Sequence, residues 1–76
     1  MKTSAIISDK EIMGGTLVFR GTRVPVQTLF DYIDGGDTID DFLEGYPSVK
    51  RKQVHEVIKL AEKLLSSVVT RYENIN

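Results

Sequence analysis

Apolar positions along this chain follow two spacings, and the change between them falls at Pro25. Before it, apolar residues come in short runs, Ala5-Ile6-Ile7 and Leu17-Val18-Phe19, each closed by polar or glycine positions. The second run is rich in strand formers, and both are of strand length. After Pro25, apolar residues recur every three or four positions, the spacing of one helical face. Val26, Leu29, Phe30 and Ile33 mark a first helix, and Ile39, Phe42 and Leu43 a second. Val54, Val57, Ile58, Ala61, Leu64 and Leu65 give the buried stripe of a third and longest helix.

Punctuating residues agree with this division. Asp9 to Met13 predicts a single helical turn, capped by Ser8 or Asp9 and ended by Gly14-Gly15. Arg20-Gly21-Thr22-Arg23 reads as a tight turn. Pro25 has no N–H for a sheet ladder and suits the entrance of a helix. Gly35-Gly36 closes the first helix. Thr38 caps the second, with Asp41 as the carboxylate partner of a capping box. Gly45 and Tyr46-Pro47 turn the chain, and Ser48 opens the third helix. The β-branched and polar stretch from Ser66 to Thr70 predicts fraying, and Arg71 to Asn76 a loosely ordered end. The expected fold is α+β and mainly α: a short N-terminal β-hairpin packed on a three-helix helix-turn-helix body of homeodomain-like or winged type. Residues 1–76 form one domain, with the hairpin region at 6–26, the helical body at 26–66 and a tail at 67–76.

With 76 residues there is room for one core. Such a domain buries roughly 60% of its unfolded surface and is marginal alone. It has no cysteine and a single histidine, His55, so disulfides are excluded and neither a structural metal nor a cofactor is expected. A second copy or a partner is the better source of added stability. No apolar stretch reaches the length of a membrane span, and the N-terminal stretch from Met1 to Asp9 is too short and too soon charged for a signal peptide, so a cytoplasmic protein is expected.

Net charge is −1, but its distribution is uneven. Residues 1–30 carry +2, residues 31–46 carry −6, residues 47–59 carry +3 and the remainder is neutral. The basic segment fits a surface that meets phosphate, or simply a solvated helix face. No nucleophile elbow, phosphate-loop lysine or metal-ligand pair occurs, so an enzyme is not expected. Asp31, Asp34, Asp37, Asp40 and Asp41 do not match a calcium-loop pattern. The glycine turns lack the lysine motif of a phosphate cradle and read more economically as turns. Arg20 and Arg23 flank such a turn, where they either reach a nucleic-acid backbone or keep a sheet edge soluble.

The start of helix three is the strongest candidate site. In a helix-turn-helix the first residues of the second motif helix meet base edges while neighbours hold phosphates. Here these are Ser48, Lys50, Arg51, Lys52, Gln53 and His55. Arg and Lys suit guanine and phosphate, and Gln suits adenine. The alternative is an ordinary exposed basic face. Phe30 and Phe42 fall on buried stripes, Phe19 is placed to pack the hairpin on the helices, and Tyr32 and Tyr46 are expected part-exposed. Val68, Val69, Tyr72 and Ile75 form an apolar tail beyond what a small domain absorbs, and are the candidate contact for a partner or second copy.

The run Ile-Ser-Asp-Lys-Glu-Ile-Met-Gly-Gly-Thr-Leu-Val-Phe-Arg-Gly-Thr-Arg-Val-Pro-Val, continuing to Gly-Gly-Asp-Thr-Ile-Asp-Asp-Phe-Leu-Glu-Gly-Tyr-Pro-Ser-Val, resembles domain-of-unknown-function family 433 over roughly residues 6–65. The resemblance implies a homeodomain-like helix-turn-helix with an N-terminal β element. It also implies kinship with VapB-type antitoxins, whose genes often lie beside a PIN-like ribonuclease toxin. Members often carry Asp-Pro after the first strand and Pro before the Val of the second; this chain has Asp9-Lys10 and Leu17-Val18 there. The expected function is therefore an antitoxin that binds its own promoter DNA as a homodimeric repressor and neutralises a PIN-like toxin. The alternative is a protein-interaction module of the same fold that binds no DNA.

Overall fold

Strands β1 (Ile6–Ser8) and β2 (Leu17–Phe19) pair antiparallel, with Ile6 opposite Phe19 and Ser8 opposite Leu17. The computed structural model describes the backbone of residues 5–73 and the side chains of residues 5–69. The connection between the strands begins at Asp9, whose carboxylate accepts the Glu11 N–H at 2.9 Å. It ends in a 3-10 turn at Met13–Gly15, where the Ser8 hydroxyl donates to the Gly15 carbonyl. After β2 the chain turns again. Gly21 takes a φ of +82°, open to glycine at little cost. The Thr22 hydroxyl donates to the Phe19 carbonyl and accepts the Val24 N–H. This folds Pro25 back to bridge Val18 and leaves it as the residue before helix α1 (Val26–Asp34).

α1 closes on a Schellman motif. The Asp37 N–H reaches the Tyr32 carbonyl at 2.9 Å and the Gly36 N–H reaches that of Ile33 at 3.0 Å, with Gly36 at φ +88°. Helix α2 (Ile39–Gly45) follows at once, and its capping box is complete: Asp41 N–H donates to the Thr38 hydroxyl, and Thr38 N–H to the Asp41 carboxylate. The Thr38 N–H first, and the Thr38 hydroxyl after it, hold the Asp41 carboxyl below the usual carboxylate range.

Helix α3 spans Arg51–Glu73 and departs from expectation at both ends. It does not begin at Ser48. Val49 is buried in the core, and its N–H bonds the Tyr46 carbonyl at 3.0 Å, which commits this stretch to a turn. Nor does it fray between Ser66 and Thr70. β-branched residues cost only a few tenths of a kcal/mol each in a helix, about 0.7 at most, and a growing helix is cooperative.

One core joins these elements. Phe19, Phe42, Leu29, Val18 and Val54 are fully buried. Phe42 of α2 sits at the centre, with ring centroids 5.8 Å from Phe19, 5.5 Å from Tyr32 and 5.3 Å from Tyr46. The hairpin, α1 and the turn before α3 thus meet on one aromatic cluster, where tilted and edge contacts add to burial. Phe30 lies at the edge of this core, half-buried. Among the described residues no helix is long and apolar enough to cross a membrane.

Candidate functional site

Eight residues from separate parts of the sequence meet where the hairpin turn faces the start of α3. They enclose a cleft of about 390 Å³ lined by Ala5, Arg20, Gly21, Ser48, Lys50, Lys52, Gln53 and Glu56. Arg20 arrives at the end of β2, just before the turn. Ser48 and Lys50 come from the turn between α2 and α3, and Lys52 and Glu56 from the first turns of α3. Three cations against one carboxylate give the cleft a basic lining. The Arg20 guanidinium donates to the Ile6 carbonyl at 3.4 Å, which lays its stem along the strand pair.

Five of the residues expected to contact nucleic acid therefore share this cleft: Arg20, Ser48, Lys50, Lys52 and Gln53. Three others stay outside it. Arg23, Arg51 and His55 are exposed, and Arg51 pairs with Asp40 of α2. An exposed pair of this kind contributes little to stability, at most about 1 kcal/mol.

Gln53 requires a correction. The base-reading role expected of it needs an exposed amide, and this amide is buried, with the residue 9% exposed. Its Nε2 donates to the Ala5 carbonyl at 3.3 Å and to the Arg20 carbonyl at 3.1 Å. Its Oε1 accepts the Lys50 N–H at 2.9 Å. With both donors and the acceptor engaged inside the molecule, nothing is left for a base edge. The sequence did hold a signal for this: a Gln at the third helical position commonly reaches back to the residue before the helix.

The exposed apolar face of α3 is also larger than expected. Val68 and Val69 lie exposed on α3, and so do Leu64 and Leu65, which the sequence assigned to the buried stripe. Every described side chain from Glu62 to Val69 is exposed, because the body of the domain ends near Ala61. The side chains of Tyr72 and Ile75 lie outside the described residues.

A hairpin beside a capped helical turn and a long basic-ended helix defines a small helix-turn-helix type of domain with a cationic cleft. The model of the family described as Protein of unknown function (DUF433) matches residues 6–61, and the chain belongs to that family. An uncharacterized protein of Sinorhizobium fredii, y4eO, is 37% identical over 49 residues. That stretch is 64% of this chain and 22% of the relative, so this chain corresponds to a small part of the longer protein. No solved structure matches the chain.

Proposed function

We propose that this domain binds DNA as the antitoxin of a toxin–antitoxin pair. In this reading it represses its own promoter as a homodimer, neutralises a PIN-like ribonuclease and acts in the cytoplasm without catalysis. The observation that carries the DNA half of this reading is the meeting of Arg20, Lys50, Lys52 and Ser48 in one cleft beside the exposed first turns of α3. Cations gathered from separate segments act on a phosphate backbone together, and neutralising phosphates releases counterions. Exposed Arg51 and His55 on the same helix end are then placed for base edges, the division of labour usual in this fold class. The toxin and homodimer halves draw support from the family resemblance and from the exposed Leu64, Leu65, Val68 and Val69.

Fluorescence anisotropy with a duplex from the gene's own upstream region, titrated over salt, tests the DNA half. Binding should weaken steeply as salt rises, and Lys50→Ala or Lys52→Ala should each lower the slope of log affinity against log salt by about one. No binding at low salt overturns it. The second reading, an interaction module without DNA, is favoured by the net charge of −1. A stable complex with a PIN-like nuclease, together with no duplex binding, would establish it.

A further inference from the structure

We infer that Gln53 is the positioning residue of the basic cleft: its carboxamide fixes the hairpin turn against the first turn of α3, so that Arg20, Lys50 and Lys52 meet a nucleic-acid phosphate as one unit. This rests on the DNA reading above and adds to it a residue that never touches the ligand.

Arg20 and Lys52 lie 32 positions apart in sequence and belong to different elements. The Arg20 N–H already bonds the Ala5 carbonyl at 2.9 Å, closing the ladder of β1 and β2 at its open end. Gln53 engages the same Ala5 carbonyl and adds the Arg20 carbonyl, reaching the backbone at the base of the Arg20 side chain. Its other end holds the Lys50 N–H, the backbone of the second cation. One planar amide therefore spans the main chains of two cleft cations. An amide is rigid between its oxygen and nitrogen, so the spacing of Arg20 from Lys50 follows from the length of one side chain. Burial excludes the water that would otherwise compete for these bonds, which makes the tie hard to replace. Without it, the turn at residues 20–23 keeps its own hydrogen bonds and its place in the ladder, but loses this register against α3.

The test compares salt slopes on a labelled random-sequence duplex, since phosphate contacts are independent of sequence. Gln53→Met keeps length and apolar packing and removes the tie. Its slope should fall by about one, as should that of Arg20→Gln, and the double variant should fall no further than either alone. Helical circular dichroism confirms that each variant is folded. A Gln53→Met that melts earlier but keeps the wild-type slope assigns Gln53 a purely structural role and overturns the inference. Wild-type protein that binds no duplex at low salt overturns the DNA reading and the inference with it. If Gln53→Met does not fold, Gln53→Glu replaces it, because the carboxylate still accepts the Lys50 N–H. At neutral pH it sets an acceptor against the Ala5 and Arg20 carbonyls; burial and these two carbonyls raise its carboxyl above the usual glutamate range, so on acidification it regains a donor before an exposed glutamate would. Arg20, Lys50, Lys52 and Glu56 also line this cleft, so wild-type protein is titrated in parallel. The slope of the variant should return toward wild type as pH falls, and a constant difference overturns the inference.

Discussion

The two halves of α3 carry the same apolar periodicity and meet different fates. In the first half Gln53, Val54 and Val57 are buried, Ile58 packs against the core beside them, and Ala61 is half-buried. In the second half Leu64, Leu65, Val68 and Val69 continue the stripe, yet stand 52% to 65% exposed. An apolar stripe thus records that a surface is made to be covered. It does not record whether the cover comes from the same chain. A helix end of about a dozen residues is marginal in water when nothing packs on it.

The contrast can be broken first from the body. Phe42→Ala removes the ring on which Phe19, Tyr32 and Tyr46 converge and should cost about 3–5 kcal/mol. A domain of this size has roughly 4–11 kcal/mol in all, so the variant should lose roughly a quarter or more of its stability and melt far below wild type by circular dichroism. The halves are compared directly by one substitution made twice. Val54→Ala, at a fully buried site, should lower stability by about 2 kcal/mol in a thermal melt. Val68→Ala should change it by no more than about 0.5 kcal/mol in dilute monomer. A melting temperature that rises with protein concentration in wild type but not in Val68→Ala would show that a second copy covers the exposed half.

Smaller effects sharpen how the body is held beneath α3. Thr38→Ala removes the cap of α2 and should cost about 1 kcal/mol. The same change alters the acid limb. Asp41 titrates lower in the folded chain than in the unfolded one, so its contribution is complete above about pH 4 and is lost as pH falls through the lowered value. Stability measured against pH in Thr38→Ala should therefore fall less steeply at the acid end than in wild type. Asp40→Asn releases Arg51 from its exposed partner and should change stability by less than about 1 kcal/mol. In the duplex titration it should tighten binding if Arg51 is a phosphate or base contact.

Local chemistry made much of this fold legible. The first two helices, the Gly35-Gly36 stop and the Thr38–Asp41 box each depend on residues within one or two turns, and all occur where their spacing put them. What local spacing could not give was long-range. Gln53 reads as a polar residue on a basic helix start, and only carbonyls 48 and 33 residues away make it an internal tie. The start of α3 moved to Arg51 because burial of Val49 overrode the capping preference of Ser48. Leu64 and Leu65 were misassigned because periodicity carries no information about where the body ends. Of the candidate site, the cations were visible one by one; their assembly required the hairpin turn to fold back toward α3.

α3 runs without interruption for 23 residues, about 34 Å at 1.5 Å per residue. It is therefore a ruler as well as a packing element. The basic end and the apolar end sit at a distance and a rotational phase fixed by residue count alone. One residue inserted between them would move the far end by about 1.5 Å and turn it by about 100°. Every side chain at both ends would survive such a change, yet whatever docks on the far end would meet the cleft from a new direction.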